Sequence, residues 1–470
     1  MVKQLSEQMS KVQAKPATSG GPAAPDTPSA ASPTPSSMGG VGAPGQSLPP
    51  NPPANKRFDS PATLESKKGN VKFGPGFEIR TDDDEFILQF HNLTQVDYRG
   101  YQQGGQTTVK DTFAFPRQWF MFSGRAGKQY GYFVSLANGI DTVTMLDAFI
   151  DYEVDPRFKL RVGRMKTPFT YEFLIEPVQG LVVPERSVFF NNFGQNRDIG
   201  IMANGRVLDK QVDYAVGIWN GSRNGLVAND NSKKVSAFLN WHPFGKEEGS
   251  LLENFNVGGS VFAGDNQQAA APQTLRTIVP TSGNAVFGVP FLGFNSNVRE
   301  TGYAAFWDLH AAWFYQQWAV IGEWANGFQT YSQAAPVGAY QARTKVPVGS
   351  FYTQASYLLT GETRSSIGLV KPKSPFELRK GHYGTGAWEP FVRFEYLDVG
   401  SQVFSAGLAD ANQWANRMYM THTGVNWHLT QYLKIYFDWN HAVFNQPVVF
   451  SPGHRQLTSD MFLLRFQMYF

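Results

Sequence analysis

The clearest pattern in the chain is the alternation of apolar and polar side chains in its last segment, 460–470. One face carries Phe462, Leu464, Phe466, Met468 and Phe470. The opposite face carries Arg465 and Gln467, and residues 432–443 repeat the same arrangement. A period of two places successive side chains on opposite faces of a β-strand. The sequence therefore predicts strands with one apolar face and one polar, charged face.

Sixteen segments of this kind run from 86–98 to 460–470, separated by clusters of Gly, Asn, Asp and Pro. The connections 155–156 and 430–431 are predicted short turns. Residues 264–300, 329–349 and 361–385 are predicted long loops. Outer-membrane barrels combine an even strand number with short periplasmic turns and long extracellular loops, and a barrel of this size encloses water. The pattern predicts an all-β fold, a 16-stranded antiparallel transmembrane β-barrel over residues 73–470, in the bacterial outer membrane.

A soluble carbohydrate-binding β protein is an alternative explanation of the alternation. Its inward face would have to be apolar, because that face is buried against a second sheet. Here the polar faces carry Arg, Asp, Glu and Lys, and aromatics such as Trp427 and Trp439 lie near strand ends. Aromatic side chains form girdles at the two membrane interfaces of transmembrane barrels. The distribution favours the barrel.

The amino-terminal region has a different composition. Val2, Leu5, Met9 and Val12 follow the spacing of a heptad seam, which predicts a coiled-coil fragment over 1–14 that acts as a trimerising stalk or, alternatively, a solvated tail. Residues 15–72 are rich in Pro, Ala, Ser and Gly, the composition of a disordered linker. The first residues lack the apolar core of a signal peptide, so we expect the chain of an exported protein to be its processed form.

Composition and charge exclude several classes of function. There is no cysteine, which removes disulfides, thiolate metal sites and cysteine nucleophiles. No apolar stretch approaches the ~20 residues of a membrane-spanning helix, and no common hydrolase, metalloprotease or phosphate-loop motif occurs. Residues 61–470 carry 36 basic and 35 acidic side chains. We expect no catalysis, no cofactor, no metal and no nucleic-acid partner, and any selectivity must come from local charge.

Residues 166–197 form a segment too long for a turn, and we expect this loop to fold inward and narrow the pore. The side chains predicted to set its electric field are Lys166, Glu172, Glu176, Glu185, Arg186, Arg197 and Asp198. The alternative is that charges such as Glu185, Arg186 and Asp198 pair with one another and attach the loop to the wall.

The strand alternation predicts further inward charges. The predicted pore-lining side chains on strands are Arg117, Arg125, Arg161, Arg393, Glu395 and Arg465. Guanidinium groups clustered opposite the loop would bind anions or phosphate esters bidentately. A lattice of ion pairs that only makes the wall rigid remains the alternative for each residue.

Several of these segments carry a family resemblance. They are Gly163–Glu172, Pro184–Ser187, Arg197–Gly200, Tyr352–Glu362, Gly386–Arg393, Gly424–Trp427 and Leu464–Gln467. In order and spacing the chain resembles the phosphate-selective porin O and P family from about residue 75 to its end. The resemblance implies a homotrimer of sixteen-stranded barrels. It also implies arginines paired on the second strand and a lysine on the inserted loop, whereas this chain has Arg117 alone and no basic residue in Phe173–Pro184.

The sequence thus predicts an outer-membrane porin for passive diffusion of small hydrophilic solutes, with an anion or phosphate preference carried by Arg117, Arg125 and Arg161. The expected partners are the lipid bilayer and lipopolysaccharide, small polar or anionic solutes, and the barrel-assembly machinery, which the aromatic carboxy-terminal strand would engage. A structural barrel with a plugged lumen, tethered to the cell wall, is the main rival function.

Overall fold

The computed structural model describes residues 68–74, 76–101, 109–139, 142–228, 230–278, 288–334, 342–379, 381–451 and 453–470. The predicted coiled coil 1–14, and the predicted linker as far as residue 67, lie outside the described residues. The first strand, β1 (Gly69–Gly74), includes the last four residues that the sequence assigned to the linker.

Sixteen antiparallel strands form the closed barrel that the alternation predicted. They are β3 (Phe86–Tyr101), β4 (Thr112–Ala126), β5 (Tyr130–Gly139), β6 (Thr142–Asp155), β7 (Phe158–Lys166), β8 (Arg197–Val207), β9 (Val212–Trp219), β10 (Lys234–Trp241), β11 (Asn256–Ala269), β14 (Val298–Tyr315), β15 (Trp318–Gln333), β16 (Thr344–Tyr357), β17 (Ala387–Val399), β18 (Arg417–His428), β19 (Leu433–Ser451) and β20 (His454–Tyr469). The last strand of the barrel, β20, pairs with the first barrel strand, β3, with Tyr469 opposite Leu93 and Met461 opposite Tyr101.

A hairpin precedes the barrel. Strand β1 pairs with β2 (Gly76–Thr81), and β2 pairs with the start of β3, where Phe77 lies opposite Phe90. Strand β20 pairs with β3 only from Leu93 onward. The hairpin therefore occupies the stretch of the β3 edge that the closing strand leaves unpaired, which limits an exposed strand edge.

The barrel has a short-turn end and a long-loop end. The short-turn end carries the connections 127–129, 156–157, 208–211, 242–255, 316–317, 358–386 and 429–432. Segment 361–385 is long, as predicted, but the expectation that it lies at the extracellular end with the other long loops is wrong. Strand order places it at the short-turn end, between β16 and β17.

Residues 167–196 fold into the lumen, as predicted. They contain the short helix α1 (Tyr171–Leu174), a 3-10 turn (Val178–Gly180) and helix α2 (Val188–Phe193). Ser187 accepts the Phe190 N–H at the start of α2, which is ordinary amino-terminal capping. A second inward connection lies between β11 and β14 and contains the pair β12 (Thr274–Arg276) and β13 (Pro290–Gly293). A third short helix, α3 (Gln402–Ser405), follows β17.

Apolar side chains fill much of the long-loop half of the barrel, so the expectation of a water-filled interior holds for only part of it. A cluster of buried side chains joins β12–β13, helix α2 and the inner faces of the strands from β11 to β19. Phe189, Phe291 and Phe306 are among its members. The inner faces here carry residues such as Val346 and Met418 in place of polar ones. The two inward connections therefore pack against the wall as side chains do in the hydrophobic core of a soluble protein.

In the part of the chain that the structure describes, no helix is long and apolar enough to cross a membrane.

Candidate functional site

Backbone carbonyls attach the middle of the inward loop to the barrel wall. Four consecutive wall strands, β17 to β20, present side chains that donate hydrogen bonds to the carbonyl oxygens of residues 179–185. The donor and acceptor pairs are Gln467 to Gln179 at 2.8 Å, Lys434 to Leu181 at 2.7 Å, Asn426 to Val182 at 2.9 Å, Arg465 to Pro184 at 2.6 Å and Arg393 to Glu185 at 2.9 Å. Buried carbonyls need such partners. The uncharged stretch 177–184 is therefore held through its backbone.

The Glu185 side chain binds three guanidinium groups. Its oxygens accept from Arg117 Nη2 at 2.6 Å, from Arg465 Nη2 at 2.5 Å and from Arg99 Nη2 at 3.3 Å. Arg99 and Arg465 also bind Asp97, and all five side chains are buried. Burial alone would raise the pKa of Glu185, but the charges of Arg117, Arg465 and Arg99 outweigh it and hold that pKa below its usual range. Arg117 and Arg465 thus lie within an ion cluster.

A second ion cluster holds helix α1 and the start of helix α2 to β17. Glu172 accepts from the Ser187 N–H at 2.9 Å and from Arg393 Nη2 at 3.1 Å. Glu395 accepts from the Val188 N–H at 2.6 Å, at the first turn of α2. Glu172, Arg393 and Glu395 are all buried. These three predicted pore-lining residues meet in one group.

Three more predicted cations donate to groups of the protein. Lys166 Nζ donates to the Phe173 carbonyl at 2.7 Å, and Arg186 donates to the Glu172 and Glu176 carbonyls, both at 3.1 Å. Burial lowers the pKa of Arg186 to about 10. Arg197 Nε lies 3.0 Å from Asp147 on β6. The contacts of Lys166 and Arg186 hold parts of the loop to one another, and the contact of Arg197 holds the start of β8 to β6.

Among the predicted site residues, Glu176 is a buried carboxyl with few polar partners. Its side chain is 1% exposed, and its Oε1 has no hydrogen-bond partner among the described residues. Burial, followed by the charge of Glu172, raises the pKa of Glu176 to about 8. The neutral form of the carboxyl is therefore favoured in the folded protein, whereas the sequence suggested a charged side chain.

Glu323 is one of several anchors of the loop that were not predicted as site residues; Arg99, Asn426, Lys434 and Gln467 are others. Glu323 on β15 accepts the N–H groups of Tyr171 and Glu172 at 2.7 and 2.8 Å, and the Tyr352 hydroxyl at 2.5 Å. Free N–H groups at a helix start attract a carboxylate. The only signal in the sequence was an inward acidic residue on a strand, without any indication of its distant partner.

Arg125 and Arg161 occupy a different environment, at the short-turn end of the lumen. A cavity of about 350 Å³ is lined by both, and it shares Arg161 with a second cavity of about 890 Å³. We call these two cavities the vestibule. Its basic lining residues are Arg125, Lys128, Lys159, Arg161, Arg206 and Lys210, and its acidic ones are Asp151, Glu153 and Asp213. Among the predicted site residues, Arg125 is exposed and Arg161 is partly exposed.

The loop contributes apolar side chains to the vestibule. Tyr171, Leu174 and Ile175 line the larger cavity together with Phe238 and Phe314 of the wall. The Ile175 side chain is 38% exposed and lines this cavity. The vestibule therefore combines basic groups with apolar surface.

Segment 358–386 reaches the same region from the short-turn end. Arg364 Nη2 lies 2.8 Å from Glu389 on β17, and Ser365 and Ser366 line the larger cavity. The segment touches the loop where Gly180 meets Gly368. A Cβ added at Gly180 would lie 2.8 Å from the Gly368 Cα. Loop and segment are therefore in backbone contact.

In the described ranges, no group of three or more His, Asp or Glu side chains is arranged to hold a metal ion. His422 lies 2.9 Å from Asp438, and His428 lies 2.9 Å from Glu389. Both histidines are buried against carboxylates of neighbouring strands.

Comparison with known proteins agrees with this architecture. The model of the family "Phosphate-selective porin O and P" matches residues 90–443. Porin O of Pseudomonas aeruginosa is 23% identical over 404 residues, which cover 80% of this chain and 88% of that protein. Among solved structures, OmpT of Vibrio cholerae in its trimer form has a TM-score of 0.50 at 7% identity, covering 82% of this chain and all of that one. OmpF of Salmonella typhi, in complex with daunomycin, has a TM-score of 0.50 at 11% identity and covers 84% of this chain and all of that one.

The two structural likenesses show the barrel fold, and the family match extends over most of that barrel. Short turns, long loops and an inward loop in a sixteen-stranded barrel are the features that such a channel requires. The chain belongs to the phosphate-selective porin O and P family, and it is a porin of the bacterial outer membrane that provides a passive path for small solutes.

Proposed function

We propose that this porin prefers anions and that its selectivity is set in the vestibule by Arg125 and Arg161. The observation that carries the proposal is the balance of charge in the lining, six basic side chains against three acidic ones. Cations along a water-filled path lower the energy of a passing anion. The path itself is passive and includes no catalytic step.

The remaining predicted cations act in a different way. Arg117, Arg186, Arg197, Arg393 and Arg465 position the loop, because their donors are directed to carboxylates and carbonyls of the protein. A guanidinium group already bound on several sides in this manner offers little to a solute. Arg125, by contrast, is exposed to the smaller cavity. Arg161 donates to Asp151 at 2.7 and 2.9 Å, but its side chain is partly exposed and lines both cavities.

Reversal potentials in a KCl gradient across a planar bilayer test the proposal. We expect the wild type to favour chloride, and Arg125→Gln combined with Arg161→Gln to shift the reversal potential toward potassium. Arg379→Gln is the matched control, since Arg379 is 82% exposed on segment 358–386 and lines neither cavity. A wild-type channel that favours potassium would overturn the anion preference. Absence of ohmic steps would support the plugged, structural barrel.

We further propose that the protein is a homotrimer, in which the heptad seam of residues 1–14 adds a trimerising stalk. The support is the name of the Vibrio cholerae structure, which specifies a trimer form, together with the spacing of Val2, Leu5, Met9 and Val12. Sedimentation of the detergent-solubilised chain, with and without residues 1–14, measures both parts.

A further inference from the structure

We propose that the smaller vestibule cavity is a binding site for organic anions that carry a planar ring, such as aromatic carboxylates. The inference rests on the proposed anion preference and gives the class of solute. Four side chains carry the argument and define what we call the ring site: Phe133, Phe149, Arg125 and Arg161.

The two phenylalanines supply an aromatic surface inside the lumen. Phe133 and Phe149 lie opposite each other on β5 and β6, with ring centroids 5.4 Å apart and an interplanar angle of 26°. Both rings are partly exposed and line the cavity of about 350 Å³. Ligand pockets are commonly of roughly 300 to 1,000 Å³ and are lined by aromatic groups with a few placed polar ones. A single-ring solute fits this description.

Arg161 fixes one side of the site. Its guanidinium carbon lies 3.8 Å from the centroid of the Phe149 ring, and its Nε and Nη2 donate to Asp151 at 2.7 and 2.9 Å. The bidentate pair holds the guanidinium over the ring, a typical cation–π arrangement. This side of the cavity is therefore preorganised.

Arg125 and Lys128 supply charge for the acid group of the solute. Both are exposed and line the same cavity, on the strand and turn next to Phe133. A carboxylate can bind there while its ring packs on Phe133 and Phe149. The two requirements, an acid group and a flat apolar body, define an aromatic carboxylate.

Inorganic phosphate is a poorer fit to the same surface. Phosphate is held best by several convergent guanidinium donors. In this chain three guanidinium groups converge, those of Arg99, Arg117 and Arg465. They are buried and already form ion pairs with Asp97 and Glu185. The exposed cations of the ring site lie beside aromatic carbon, which a phosphate ion cannot use.

Current block in planar bilayers separates the contribution of the solute's aromatic ring to binding from that of its charge. The probes are benzoate and cyclohexanecarboxylate, which have the same charge and similar size, while only benzoate has a π face. We expect benzoate to half-block the wild-type current at a concentration about fivefold lower, the order of one aromatic contact. Equal half-blocking concentrations for the two acids would overturn the ring site without any variant being made.

Two variants then locate the effect. Phe149→Leu should abolish the preference for benzoate, while Phe462→Leu, on the lipid-facing side, should keep both that preference and the KCl conductance. Phe133→Leu serves as the second lumen variant if Phe149→Leu fails to form channels. A preference for benzoate that survives loss of either ring would place its origin elsewhere and refute the assignment.

The outcome is separable from that of the proposed function. A wild type that favours potassium in the salt gradient but still discriminates between the two acids would remove the anion preference and keep the ring site. A wild type that favours chloride and treats both acids alike would do the reverse.

Discussion

Glu185 compensates three guanidinium groups from its position on the inward loop. Arg99, Arg117 and Arg465 all lie within 3.3 Å of its oxygens, and each is buried. Removing one member of a buried ion group leaves the others without compensation, at a cost of about 3 to 5 kcal/mol. The stability of the loop therefore depends on this carboxylate more than on any single arginine.

We expect Glu185→Gln to lower the free energy of unfolding by about 3 kcal/mol and to increase the noise of the open-channel current, because the loop loses its main anchor. Denaturant unfolding in detergent and single-channel recording measure the two effects. Glu248→Gln is the control, since Glu248 is exposed in the turn between β10 and β11. Equal stability of the two variants would contradict the assigned role.

Glu176 predicts a pH dependence. Burial raises the pKa of Glu176 in the folded state from 4.5 to about 8, so the neutral form is favoured on folding. The stabilisation from the neutral form is fully present below pH 4.5, and it declines as the pH rises toward 8. The charges around the carboxyl are Glu172, Arg393, Glu323 and Arg186.

We therefore expect current noise to increase between about pH 7 and pH 9 in the wild type, as Glu176 ionises inside the loop. Glu176→Gln carries a neutral side chain of the same shape and should show a flat profile over that range. Recordings at fixed ionic strength decide the matter. A variant as sensitive to pH as the wild type would show that another group titrates.

At the scale of elements, the inward loop and segment 358–386 meet at Gly180 and Gly368. A side chain at the first position would clash, and one at the second would not. A Cβ at Gly180 would lie 2.8 Å from the Gly368 Cα, whereas a Cβ at Gly368 would meet nothing within 4 Å. The contact thus restricts substitution from one side only.

Gly180→Ala should push the loop and the segment apart, with a loss of about 1 to 3 kcal/mol in stability and a changed single-channel conductance. Gly368→Ala should leave both quantities close to wild type. The pair is measured by thermal unfolding and by conductance in KCl. Equal effects of the two substitutions would show that the backbones are not in contact in the membrane.

The alternation of apolar and polar side chains was sufficient to predict the sixteen strands, because a half-buried strand has only one pattern of faces. It was insufficient for the interior of the long-loop half. Val346, Val348 and Met418 place apolar side chains on the inner face, where the alternation predicted polar ones. Such strands reveal nothing about what packs inside them.

The alternation predicts which strand side chains face inward, but it does not predict their pairings. Arg393 and Glu395 were placed inward by alternation, and they do face the lumen. Their partners, Glu172 and the Val188 N–H, come from a loop about 200 residues away in sequence. Local patterns carry no information about such contacts, and the anchor Glu323 was missed for the same reason. Loop length alone does not identify the extracellular end of a barrel, so the predicted position of segment 361–385 is wrong.

At the scale of the whole molecule, the carboxy-terminal residue completes the barrel. The Asn92 N–H donates to the Phe470 carbonyl at 2.8 Å, and the Phe470 N–H donates to the Asn92 carbonyl at 3.1 Å. The Phe470 ring centroid lies 6.4 Å from that of Phe90. The terminal residue therefore joins the first and last strands through both backbone and side chain.

Deletion of Phe470 should reduce the amount of closed barrel in outer membranes severalfold, since two backbone hydrogen bonds and an aromatic contact are lost at the seam. The heat-modifiable band in unboiled electrophoresis samples gives the closed fraction. Met468→Leu, on the lipid face of the same strand, is the control and should assemble normally. Normal assembly of the deletion would contradict the importance of this residue.

The ion cluster around Glu185 also links attachment of the inward loop to closure of the barrel. Two of its arginines come from β3 and β4, at the start of the barrel, and the third comes from β20, at its end. Arg465 reaches Glu185 from the strand that pairs with β3 at the seam, and contacts between residues so distant in sequence are slow to form. The loop therefore acquires its full set of partners only when the last strand has joined the first. A nascent barrel that is still open at its seam has an unfinished constriction, and maturation of the pore coincides with closure of the wall.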